Sequence, residues 1–259
     1  YTLNPQGSIL VGVTDWLDLT VILQGFTNWE GSRSSGGFGD MTVGIGIPIL
    51  LEGLYQPALR FVFNETFPTG RYQKLNPNLD GLDATGLGSY QNQLGLRLSK
   101  IIFWSTKHPM NLRWAYSLNI PTNVHVKGFN SYGGGEGTNG TIKPGISQQT
   151  NIAVELSLTH QWVFACDFVY DWSNRTRFKG FPGFGATSFD NGEDPTDSIR
   201  FDGVPPVVGV GSNDQFSIAP AIEYNPSVHL SFVGGIWFNV YGRNVPKFIA
   251  GGTTLSYTF

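Results

Sequence analysis

The stretch Ile249-Ala250-Gly251-Gly252-Thr253-Thr254-Leu255-Ser256-Tyr257-Thr258-Phe259 alternates without a break. Ile249, Gly251, Thr253, Leu255, Tyr257 and Phe259 share one parity; Ala250, Gly252, Thr254, Ser256 and Thr258 share the other. A period of two means an extended strand with two unlike faces. One face ends apolar and aromatic, which fits the edge of a soluble sandwich or a strand whose aromatic side meets a bilayer. The rest of the chain decides between these.

Working back, the same parity test predicts ten further strands: residues 8–14, 17–28, 40–50, 57–67, 90–104, 110–121, 150–159, 162–173, 214–224 and 228–241. Met41, Val43, Ile45, Ile47 and Ile49 alternate with Thr42, Gly44, Gly46 and Pro48. Leu112, Trp114, Tyr116 and Leu118 alternate in the same way with Asn111, Arg113, Ala115 and Ser117. Tight turns such as Asp15-Trp16 and His160-Gln161 take turns with long, glycine-rich connections at 29–39, 68–89, 122–149 and 174–213. The last of these is too long for a structureless link in a compact soluble domain. Short turns at one end and long loops at the other, with a continuous apolar face around every strand, describe a single domain that is a transmembrane antiparallel up-and-down β-barrel.

Composition agrees. The 259 residues include 34 glycines and are only 14% charged, against about 25% in a typical soluble domain. No run approaches the ~20 apolar residues of a membrane helix, and mean hydropathy is -0.09. The single Cys166 rules out an internal disulfide framework. A net charge of -3 argues against nucleic acid as a partner. Tyr1 opens without a charged or apolar leader, so an export signal is expected to be already removed or never included.

The terminal strand resembles that of bacterial outer-membrane barrels, which their insertion machinery reads. This resemblance implies the outer membrane as location, with its lipid and lipopolysaccharide as surroundings and the insertion machinery as partner. Barrels of this kind usually have an even strand count. Eleven strands are visible, so about twelve are expected, with one upstream of Tyr1 or distorted within residues 1–6; an eleven-strand wall is the alternative. Further segments, Gly12-Val13-Thr14-Asp15, Gly39-Asp40-Met41-Thr42-Val43-Gly44, Pro57-Ala58-Leu59, Pro68-Thr69-Gly70 and Leu98-Ser99-Lys100, resemble outer-membrane transporters named for the MetA pathway of phenol degradation. That resemblance implies passage of small, often aromatic or apolar, compounds and no catalytic residues.

If the polar parity lines a lumen, Arg60, Arg97 and Arg113 come from three consecutive strands, and Glu155, Asp167, Asp171 and Glu223 from the next three. A basic wall beside an acidic wall sets a transverse field across a solute path. The alternative is that these charges pair and fill the lumen. Glu223 and His229 flank Pro226 symmetrically and are expected as lumen neighbours across strands, in a scaffold role. Phe178, Phe181, Phe184 and Phe189 recur among glycines; they either fold inward as an apolar lid or pack onto neighbouring loops. Trp104, Trp114, Trp162, Tyr224, Tyr257 and Phe259 near the short turns suit an interfacial aromatic girdle.

No nucleophile motif, metal-ligand spacing or phosphate loop appears, so no cofactor is expected. His125, near Ser131, lacks a third partner for hydrolysis. The sequence therefore reads as a channel for passive passage of small solutes, not an enzyme. A plugged structural or partner-docking barrel and a lipid-modifying enzyme are the alternatives.

Overall fold

The computed structural model describes residues 1–103, 105, 107–184 and 206–258. Apart from one turn of 3-10 helix at Pro77–Leu79, its regular structure is all β. The strands are β1 Thr2–Leu3, β2 Gln6–Thr14, β3 Leu17–Glu30, β4 Arg33–Phe38, β5 Met41–Leu50, β6 Ala58–Phe67, β7 Gln91–Ile102 and β8 Met110–Pro121. They continue with β9 Val124–Lys127, β10 Asn139–Lys143, β11 Ser147–Ser157, β12 Trp162–Ser173, β13 Arg177–Phe181, β14 Asn213–Ser227, β15 Leu230–Arg243 and β16 Ile249–Tyr257.

Thirteen of these form one antiparallel sheet in the order β1-β3-β5-β6-β7-β8-β11-β12-β14-β15-β16. The long β3 hands over along its length. Its lower half pairs with β2 on one edge and β5 on the other, and its upper half pairs with β1 and β4. Eleven staves therefore stand side by side, and the sheet is not closed: β2 and β16 do not pair with each other, and every residue of both is exposed.

The registers carry the parity reading through. Arg60, Arg97, Ala115, Asn151, Val169 and Ser217 lie on one register line, and Phe61, Leu96 and Tyr116 on the opposite face. The second face looks outward: Ile152 is 51% exposed and Leu255 65%. An apolar face exposed on every stave but β6 suits hydrocarbon surroundings, because leaving it in water is unfavourable in proportion to its apolar area. Inward-facing glycines fit the packing. A Cβ on Gly46 would overlap the Arg60 guanidinium, and one on Gly44 the Asn64 amide. Trp162 and Tyr224, 4.6 Å apart between ring centroids, and the exposed Tyr257 stand near the short turns as expected. Trp104 and Phe259 lie outside the described residues.

Three of the segments read as loops contain strands. Residues 29–39 hold β4, which folds back on β3 through Gly31, at φ 56°. Its Ser34-Ser35-Gly36-Gly37 core has no apolar side chain to betray the alternation. Residues 122–149 hold β9 and β10, and 174–213 hold β13. These three pair in the order β13-β10-β9, which repeats the order β12-β11-β8 of the staves below them. The same three staves thus rise past the rim as a smaller sheet. The bend requires a glycine at 145, where a Cβ would overlap the Asn174 carbonyl.

The outward assignment has a direct test. Ile152→Arg, in the middle of β11, is expected to destabilise the barrel in a bilayer by roughly 2–4 kcal/mol, and Ile152→Ala by much less. Urea titration of protein refolded into vesicles measures both; equal losses would contradict a lipid-facing Ile152.

Candidate functional site: the lumen and its cap

The inward parity of β6, β7, β8, β11 and β12 lines a partly open cavity of about 600 Å³ bordered by Arg60, Arg97, Ser99, Arg113, Asn151 and Asp167, among others. Strand pairing alone converges the arginines: Arg60 is the register partner of Arg97, and Arg113 is the partner of Ser99 two residues along β7. Arg60 forms an ion pair with Asp18, an inward residue of β3. Arg113 holds Glu155 at 2.6 Å, and the Asn111 amide donates to the same carboxylate at 2.9 Å. Arg97 makes no hydrogen bond or ion pair among the described residues. Asp167 has a buried oxygen without a hydrogen-bond partner.

The expected basic and acidic walls are therefore stitched together at their border by the Arg113–Glu155 pair. Asp171 sits nearer the long-loop end, accepting from Gln149 at 2.7 Å and Gln215 at 3.1 Å. Glu223 faces inward near the short turns with Val163 and Val233 as register partners.

His229 is not its neighbour. β14 runs on through Asn225 and Pro226, so the turn falls at Val228-His229. His229 is exposed there, its Nδ1 2.9 Å from the Thr258 carbonyl. The prediction failed because Pro226 was read as the turn centre, whereas a proline at a register irregularity near a strand end is compatible with pairing.

At the long-loop end β9, β10 and β13 bury Val124, Val126 and Ile142, with Tyr72, Tyr132, Phe178 and Val208 packed against them. Val126 and Ile142 are 0% exposed, so the fully enclosed apolar side chains among the described residues lie in this cap and not on the staves. Phe178 belongs to that core; Phe181 and Phe184 stack edge to face at 5.0 Å and stay exposed. These three pack onto the loops, and Phe189 lies outside the described residues. His125 pairs with Thr141 in the small sheet, and the Ser131 hydroxyl donates to the Tyr72 carbonyl.

Two features tie cap to lumen, and neither was legible in advance. Asp40, 5% exposed, accepts from the backbone N–H of Gly70 at 2.8 Å and of Leu87 at 2.9 Å, pinning both feet of the 68–89 loop. A chain of hydrogen bonds then descends from Tyr132 through Ser89 (3.3 Å) and Gln91 (2.5 Å) to the inward Asn119 (2.6 Å). Spacing gives no hint of such a link, since its members are up to 43 residues apart.

The fold is similar to that of an outer membrane channel from Pseudomonas putida F1, seen in a crystal structure. The two match with a TM-score of 0.62 and 12% sequence identity, over 98% of this chain and 81% of that one. The chain has a transmembrane β-barrel fold. No family model and no curated protein matches it, so support reaches the outer-membrane barrel kind and not the phenol-degradation family in particular.

Burial raises the Tyr132 phenol above its ordinary value, with the Asp40 carboxylate adding in the same direction and the Ser89 hydrogen bond opposing. The folded cap thus favours the neutral phenol. Its contribution is complete below the ordinary tyrosine range near 10 and is lost as pH climbs through the raised value. Absorbance titration against Tyr132→Phe is expected to show the missing tyrosine to be a late-ionising one.

Proposed function

We propose that the protein is an outer-membrane channel for passive passage of small solutes, with short turns in the periplasm and the cap outside. The observation that carries this reading is the cavity on the inward face, lined by water-accessible charges, inside a wall whose outward face is apolar. The fold shared with an outer membrane channel supports it. So do the alternating strand β16, which suits recognition by the insertion machinery, and the outward face, which suits lipid and lipopolysaccharide. The resemblance to phenol-pathway transporters favours aromatic or apolar compounds as cargo.

Planar-bilayer conductance in KCl tests the reading: discrete steps are expected, and silence in both the intact protein and a cap-loosened variant would reject it. The cap favours a second reading, a barrel plugged at rest, for which only the cap-loosened variant conducts.

A further inference from the structure

The inward surface is divided. The charged groups Asp18, Arg60, Arg97, Arg113, Glu155 and Asp167 all lie on β3, β6, β7, β8, β11 and β12. The arc from the lower part of β12 through β16 turns a different face inward: Ala165, Ala219, Ala221, Val233, Trp237 and Ala250. One register line shows the change, running Ser99, Arg113, Ala153, Asp167 and then Ala219. Trp237 is fixed on this arc by donating from Nε1 to Ser217 Oγ at 2.8 Å and by edge-to-face contact with Phe248 at 5.1 Å. Glu223, near the short turns, is the one inward-facing carboxylate of the arc among the described residues.

We propose that this divided lumen binds small amphipathic organic anions, a carboxylate on an apolar body, with Arg97 taking the carboxylate and the Ala/Val/Trp237 arc taking the body. The assignment rests on the channel reading above and sharpens its cargo. Arg60 and Arg113 are occupied by Asp18 and Glu155, whereas Arg97, in the same cavity, has no partner among the described residues. A guanidinium offers two parallel N–H donors to a carboxylate. An inorganic anion would satisfy Arg97 and leave the apolar arc unused. A neutral hydrocarbon would do the reverse.

The test is block of KCl conductance by hexanoate, benzoate, acetate and benzyl alcohol, paired with equilibrium dialysis of the same probes against detergent-solubilised protein. Hexanoate and benzoate are expected to act at concentrations roughly tenfold lower than acetate, since each methylene added to the body gains by leaving water. Benzyl alcohol should be weak. Arg97→Gln should raise the hexanoate concentration needed by about tenfold, and Ala221→Asn should erase the preference over acetate. Equal action of hexanoate and acetate, or of benzyl alcohol and benzoate, overturns the proposal. Binding in dialysis with the same ranking but no conductance, in the intact protein and the cap-loosened variant alike, would reject the channel reading and uphold the site.

Discussion

Exchanging Arg60, Arg97 and Arg113 together for glutamine is expected to make the pore strongly cation-selective. The cavity region holds three guanidinium groups against Asp18, Glu155 and Asp167, so the triple exchange leaves three carboxylates with no countercharge. At about 6 Å in a water-like medium one unit charge is worth roughly 0.7 kcal/mol. Three such changes approach about 2 kcal/mol, and salt screening trims this to roughly a tenfold change in the cation-to-anion permeability ratio. Reversal potentials across a KCl gradient read it directly. Arg97→Gln alone should give a smaller shift of the same sign without orphaning a partner. An unchanged reversal potential in the triple variant would remove the arginines from the ion path.

The second large effect is expected in the cap. Ile142→Ala removes a fully enclosed side chain from a core of three buried residues, costing about 2–5 kcal/mol. A unit this small has little stability to lose. Lys127, Lys143 and Lys179 are already exposed but lie in paired strands; the loosened cap should free the backbone beside them for cleavage by trypsin while the staves stay resistant, and open-channel conductance should rise because the Tyr132 link to Ser89 is released. Cleavage at the wild-type rate would show that the cap does not depend on this core.

Most of the wall was legible because a membrane strand must satisfy two solvents at once, and that writes a period of two. β8 and β12 match their predicted limits, residues 110–121 and 162–173. The cap was not legible because its sheet is built from short strands. In Val124-His125-Val126-Lys127 the alternation spans four residues, and in Asn139–Lys143 Gly140 takes an inward position. That Arg60, Arg97, Arg113, Glu155, Asp167, Asp171 and Glu223 share one face of the sheet followed from parity. Which charges pair did not, because pairing depends on stagger between strands that sequence spacing does not record. Asp18 illustrates this: it takes Arg60 from across β5, which supplies Gly46 at that register position and so leaves room for the guanidinium to reach past.

The wall is held by ladders of backbone hydrogen bonds between neighbours, whereas the cap is held by a knot of aliphatic and aromatic side chains shielded from water. The two therefore answer to different thermodynamic variables. Cooling weakens the second kind of cohesion, and kosmotropic salts strengthen it. One polypeptide thus carries a rigid frame and a headpiece whose tightness follows the surrounding medium.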